Sequence, residues 1–235
     1  MAERGFARRR LDELMTRTAR AVLPRTPDFG ALLADQTAVA VDVWAALVRY
    51  CESPDPHVAD RVSAFEKRGD VLRDRNLRAL RKAFSAGFDR DLTASAIQRI
   101  DDLSNYGKTT VREMQTLQVE PDGHMLAIVR ELLEGARELH QASTSLVEGP
   151  KVVEGHIRLV HKHERNIEKR YRRAIADLFP IDPEAVIDAE DELRSAVGHL
   201  LAAMRQREVY RHLSNAADRL DSAGRILNKI AVATV

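Results

Sequence analysis

The sequence predicts an all-α protein built as two tandem three-helix bundles related by a pseudo-repeat, and three observations predict it. Apolar residues recur at alternating spacings of three and four over long stretches, the period of a helix that buries one stripe. Proline and glycine gather in short breaks, ESPDPH at 52–57, VEPDG at 119–123, VEGPK at 147–151 and FPIDP at 179–183, with helix-favouring Ala, Leu, Arg and Glu between them. No alternating β-branched run suggests a strand.

Residues 1–27 read as a basic N-terminal arm, in which Leu11, Leu14, Met15, Thr18, Val22 and Leu23 form an apolar stripe on an Arg-rich segment. A helix capping the bundle is favoured over a dock for anionic lipid, because Asp12 and Glu13 dilute the positive charge. The first bundle is expected over 28–118. Its seams are Leu32, Gln36, Val39, Val43, Leu47 and Cys51, then Val58, Val62, Phe65, Gly69 and Leu72, then Ile97, Ile100, Ser104, Gly107, Val111 and Met114. The second bundle, over 122–235, repeats the pattern. Met125, Val129, Leu132, Ala136, Leu139, Ser143 and Leu146 mark its first helix. Val153, Ile157, Val160, His163, Ile167, Tyr171, Ala174 and Leu178 mark the second, and Leu213, Ala217, Leu220, Gly224, Leu227 and Ala231 the third. Asp55-Pro56 and Asp182-Pro183 each read as an N-cap followed by proline at the first helical position. The halves differ in one respect: either the last helix is extended, or a short extra helix around Leu193, Val197, Leu200 and Met204 precedes it.

With 235 residues and 44% hydrophobic content the chain can fill a real core. Lys and Arg (37) nearly balance Asp and Glu (36), so no global charge drives binding to nucleic acid, and none is expected as a partner. One cysteine, Cys51, forbids an internal disulfide, and MAERGFARRR lacks the features of a signal peptide. A cytosolic location is expected. AVAVDVWAALV is interrupted by Asp42 and IAVATV is short, so neither is expected to cross a bilayer.

The residues with chemistry in them are acidic. Four helices each carry two polar residues spaced by four just after a seam residue: Glu66/Asp70, Asp101/Asn105, Glu164/Glu168 and Ser214/Asp218. Residues four apart stack on one face, so pairs from adjacent helices converge if the seams pack. Clustered carboxylates must be protonated, answered by Arg or Lys, or bridged by a cation, and oxygen ligands suit divalent metals or iron. The competing reading is a set of solvated faces neutralised by Lys67, Arg68, Arg73, Arg165, Lys169 and Arg219. His156, His161 and His163 lie close in sequence but point around the helix, which fits separate structural histidines better than a ligand set. No Glu-x-x-His, phosphate-binding glycine loop or base beside Cys51 suggests catalysis.

FEKRGDVLRDRNLRALRKAFSAGFDRDLTASAIQRIDDLSN, HKHERNIEKRYRRAIADLF and VYRHLSNAADRLDSAGRIL resemble the PhoU-like phosphate transport regulators, in the branch associated with Pit-type inorganic phosphate transporters. That resemblance implies two three-helix bundles and four Glu/Asp-x-x-x-Asp motifs that bind metal clusters in several members. Glu66 and Asp70 match the motif in full; Asn105, Glu168 and Ser214 depart from it. It implies, at most, a divalent metal or iron ion in each half, with Asn105 and Ser214 as weaker ligands. It also implies a non-enzymatic accessory protein that binds a Pit-type transporter at the cytosolic membrane face. A carboxylate-bridged, metal-dependent phosphoester hydrolase is the alternative, and a homo-oligomer is left open.

Overall fold

A computed structural model describes residues 27–83, 89–179 and 190–233, and of residues 190–193 only the backbone. The N-terminal arm, Phe84 and the Asp182-Pro183 cap lie outside the described residues. Among the described residues six helices follow in order: α1 (Phe29–Glu52), α2 (Pro56–Lys82), α3 (Arg90–Leu117), α4 (Gly123–Thr144), α5 (Pro150–Leu178) and α6 (Glu190–Ala233). A single 3-10 turn at Ser145–Val147 precedes the α4–α5 connection. Among the described residues there is no strand.

Helix starts follow local chemistry. Asp28, Asp55, Asp89 and Asp122 each accept a backbone N–H of the first turn, from Ala31 (3.0 Å), His57 (2.7 Å), Leu92 (2.8 Å) and Met125 (2.8 Å), satisfying donors that the helix itself leaves open. Pro56 and Pro150 occupy the opening turns of α2 and α5, where a missing N–H costs nothing. Helix α3 ends on Gln118 in the left-handed region (φ 52°), and Val119 N–H returns to the Met114 carbonyl at 2.9 Å.

Helices α1, α2 and α3 pack on one another, as do α4, α5 and α6. Like elements join the two bundles: α1 lies on α4 and α3 on α6. The apolar core is therefore one connected cluster running from Phe29 to Ala231. Polar seam residues are spent on tying helices together. Gln36 donates to the Ile97 carbonyl (2.8 Å) and accepts from Asn76 (3.2 Å), while Thr37 meets Ser143 (2.7 Å) and His140 (3.0 Å) across the bundle joint. Gly107 is required by close approach: a Cβ there would stand 2.4 Å from Val43 Cγ1.

One expectation needs correction. Helix α1 as a whole is long and apolar enough, by length and composition, to cross a membrane. Asp42 does not break it, because that side chain sits half-buried at the helix margin, 3.8 Å from Arg68. The apolar surface is covered by protein instead: Leu33, Val39, Ala40, Val43, Trp44 and Leu47 are fully buried against the neighbouring helices. Of the two readings of the last helix, the extended one holds, with α6 continuous over 44 residues; no proline interrupts 190–233.

Candidate functional site

The first acidic face lies where α2 meets α3. Gly69 and Ser104, each directly before a paired residue, bring the two helices close: a Cβ on Gly69 would sit 3.8 Å from Ser104 Cβ. Asp101, 6% exposed, is the centre of the face. Its Oδ2 accepts from Arg73 Nη1 at 2.8 Å and from Asn105 Nδ2 at 3.0 Å. The same Arg73 nitrogen reaches Asp70 Oδ1 at 2.5 Å, so the guanidinium stands between the two carboxylates. Glu66, 3% exposed, is answered by Lys108 Nζ at 2.8 Å. Burial raises the Asp101 carboxyl above the usual carboxylate range, opposed by Arg73 and reinforced by Asp70 and Asp102. The hydrogen bond to Asp101 in turn holds the Arg73 proton more firmly than usual.

The structure thus brings Asp70, Asp101 and Asn105 together, with Glu66 one turn away beside its lysine. Protein cations occupy the places that a metal ion would take. Arg73 belonged to the neutralising set foreseen from sequence; Lys108 did not.

The second face, between α5 and α6, has the opposite balance. Glu164 is half-buried and its carboxyl is raised by burial and then by the negative charge of Asp221, Glu168 and Asp218, with Arg165 opposing. Asp221, 6% exposed, was not singled out by the sequence. It pairs with His161 Nδ1 and with Arg225 Nη1 at 2.5 Å. Glu168 pairs with Arg172 along its own helix, Asp218 is exposed, and Ser214 is half-buried.

The two residues missed, Lys108 and Asp221, share a register with Arg73, which the sequence did mark. Arg73, Lys108 and Asp221 each lie one helical turn after the last member of a pair, and Tyr171 holds the fourth such position. Extending each pair by one turn along the same face would have found them. The halves therefore differ in sign at matched positions: Arg and Lys in the first, Tyr and Asp in the second.

The clustered histidines behave as three separate groups, as their spacing suggests. His156 meets Glu138 (2.8 Å), His163 meets Glu131 (2.8 Å), and His161 meets Asp221. Cys51 is buried and its thiol is pushed up to about 12, first by burial and then by Asp122 and Glu52, which makes it a poor nucleophile at neutral pH. Among the described residues no three His, Cys, Asp or Glu side chains are placed together to hold a metal ion. The first face does not fit a metal as built, because Arg73 and Lys108 hold its carboxylates.

Comparison by sequence finds no matching family profile and no matching curated protein. Comparison of folds gives a clear result. A PhoU-like protein from Shewanella oneidensis MR-1 superimposes with a TM-score of 0.67 at 16% identity, covering 86% of this chain and 99% of that one. The fold is PhoU-like. A second crystal structure from the same organism, titled a putative PhoU-like phosphate regulatory protein, gives a TM-score of 0.67 at 15% identity and covers 87% of this chain and 99% of that one. In the PhoU-like fold as it stands here, both acidic faces lie on the outer seam of a bundle, each formed by the bundle's second and third helices.

Proposed function

We propose that this chain is a non-enzymatic regulatory or accessory protein of inorganic phosphate transport. It acts in the cytoplasm and docks on a Pit-type transporter at the inner membrane face. The observation that carries the reading is the PhoU-like fold spanning nearly the whole of two solved relatives, one of them titled a phosphate regulatory protein. Function is argued from the site as well as from the fold. On the second face Glu168 and Asp221 already have arginine partners, so the carboxylates offered to a docking partner are Glu164, which sits among like charges, and the exposed Asp218. An acidic face of that kind suits the basic cytosolic loops of a membrane protein, which the positive-inside rule makes common.

A divalent cation on this face is the less favoured reading: Asp221 is already paired with His161 and Arg225, and among the described residues no three His, Cys, Asp or Glu side chains are placed together to hold one. Metal content of the protein purified without chelator, with the melting temperature measured before and after adding Mg2+ or Mn2+, tests it. A hydrolase draws no support from this arrangement, since a catalytic metal needs several converging ligands and an open position.

The docking test is capture of the full chain from membranes of its own host, comparing the unaltered protein with Glu168→Arg/Asp218→Arg. Both positions are exposed, so the fold is expected to survive, which circular dichroism checks. Recovery of a phosphate transporter that the charge-reversed variant loses supports the proposal. Equal recovery by both proteins removes the second face from the contact, and recovery of no transporter by either sinks the role. Glu66→Ala is a poor choice, because it strands Lys108 beside a buried cavity.

A further inference from the structure

Helix α5 packs on α4 and α6 and buries Val153, Ile157, Val160, Ile167 and Ala174. The side turned away from them carries Lys151, Arg158, Lys162, Arg165, Lys169 and Arg172, at spacings that return to one helix face. Arg173 adjoins them, and these cations fall within an arc of about 100° over a length of roughly 30 Å. All are exposed, Arg158, Arg172 and Arg173 by 71%, 68% and 81% of their side chains. Three carboxylates stand at the margins of the arc: Glu154 at 3.6 Å from Arg158, Glu168 paired with Arg172, and Asp177 at 3.9 Å from Arg173. Lys151, Lys162, Arg165 and Lys169 make no ion pair among the described residues. An ordinary solvated face mixes its charges, as the matched face of α2 does. There the positions corresponding to 158, 162, 165, 169 and 172 carry Asp60, Ala64, Lys67, Val71 and Asp74, all exposed. In a chain with 37 basic and 36 acidic residues, a stripe of one sign on one helix is a local separation of charge.

We propose that this stripe lies on the headgroups of an anionic phospholipid bilayer, with α5 parallel to the surface. A row of positive charge that long meets many negative headgroups at once, and each basic residue close to an anionic surface strengthens binding about fivefold. The arc holds no aromatic or large apolar side chain, and Gly155 and Ala176 fill positions between the cations. That composition keeps the helix at the level of the headgroups, since insertion needs apolar side chains on the face that meets the lipid. It also lacks the aromatic anchors that specific protein interfaces rely on and the rings on which single-stranded nucleic acid stacks. The groove of a nucleic-acid duplex would enclose more of the helix than the arc and bring Glu154, Glu168 and Asp177 towards phosphates. A flat bilayer touches the arc alone. The contact needs neither the acidic second face nor a transporter, because Glu164 and Glu168 lie about a quarter turn or more round α5 from the middle of the stripe and stay clear of the surface.

Co-sedimentation of the full chain with vesicles, no transporter being present, tests this separately from the docking experiment. The unaltered protein is expected to bind vesicles of mixed phosphatidylglycerol and phosphatidylcholine at about 50 mM salt, to be released by about 500 mM, and to leave pure phosphatidylcholine vesicles unbound. Lys162→Glu/Lys169→Glu is expected to weaken binding about a hundredfold or more. Both lysines are exposed, and the new carboxylates gain arginines three or four residues away, so the fold survives, which circular dichroism and the melting temperature check. Arg61→Glu/Lys67→Glu makes the same change in net charge at exposed positions on α2 and is expected to bind as the unaltered protein does. An unaltered protein that stays in the supernatant with phosphatidylglycerol vesicles at low salt overturns the proposal. So does a folded Lys162→Glu/Lys169→Glu variant that binds undiminished, or an equal loss in both variants, which would make net charge and not the stripe the cause. Equal binding to pure phosphatidylcholine overturns it as well. Preference for duplex DNA over the vesicles, lost with Lys162→Glu/Lys169→Glu, overturns it and identifies the stripe as a nucleic-acid contact.

Discussion

Arg73 and Tyr171 occupy matched positions one turn beyond Asp70 and Glu168, and Lys108 and Asp221 do the same beyond Asn105 and Asp218. These four residues set the charge state of the two faces. In the first, Arg73 bridges Asp70 and Asp101, and Lys108 answers Glu66, by direct contact. In the second, Asp221 adds a negative charge, and Glu164 responds through a raised pKa caused first by burial and then by Asp221, Glu168 and Asp218. An acid whose folded pKa exceeds its unfolded one holds its proton more tightly when folded. Its contribution to stability is full below the unfolded value and is lost as the pH rises through the folded value. Glu164→Gln removes that loss, so the variant is expected to be more stable than the parent at pH 7. The partial exposure of Glu164 and solvent screening keep the gain to about 0.5 kcal/mol, and it should vanish below about pH 4, where the parent carboxyl is protonated in both states. Melting temperatures of the two proteins from pH 4 to 8 read this directly. A gain that persists unchanged at the acid end means that the introduced amide packs better, and that charge is not the cause.

The helices themselves were legible in the sequence because their seams are regular and their starts are chemically marked. Asp55-Pro56 opens α2 as its capping chemistry requires, and the six predicted seams fall on the six observed helices. What periodicity alone does not reveal is why polar residues sit on a seam. Gln36 and Ser143 look like flaws in an apolar stripe, yet they bond to Ile97 and Thr37 on other helices, and partners that distant in sequence are fixed only by the fold. The glycines follow the same logic. Gly107 faces Val43, whose Cγ1 would lie 2.4 Å from an added Cβ, and Gly135 faces Leu220, whose Cδ2 would lie 2.3 Å away. The two clashes differ in what can yield. Val43 is β-branched and stiff at its first torsion, whereas the Leu220 methyl is at the far end of a more flexible side chain. Gly107→Ala is therefore expected to destabilise by about 1–3 kcal/mol. Gly135→Ala is expected to cost less, part of its strain being offset by the roughly 1 kcal/mol that alanine gains over glycine within a helix. Urea unfolding of both variants ranks them, and the reverse order would show that α4 and α6 are held more rigidly than α1 and α3.

At the scale of the whole molecule the tandem pattern reads as two bundles, but the core does not divide at their boundary. Sequence shows where each helix buries a stripe and is silent on helices that bury two; α1 and α4 each do so, packing within their own bundle and on each other. The second joint, between α3 and α6, is built from groups that no periodicity marks. Tyr106 lies 4.6 Å from the His212 ring, centroid to centroid, Arg219 caps Tyr106 at 5.6 Å, and His212 stands 3.4 Å from Glu113. His212 is largely buried there, and burial lowers its pKa, opposed by Glu113. Separating the halves would expose the α4-facing surface of α1 and strand these side chains in water. The full chain is accordingly expected to unfold in one transition, with circular dichroism and Trp44 fluorescence coinciding, because Trp44 lies within the shared core. A fragment ending at residue 121 keeps α1, α2 and α3 but loses both joints. It is expected to retain helix by far-ultraviolet circular dichroism, to unfold over a broad range of urea and to bind hydrophobic dye, as chains with collapsed but unfixed packing do. A fragment that instead melts cooperatively near the midpoint of the full chain would show that the first bundle is an autonomous unit and that its contact with α4 and α6 adds little to its stability.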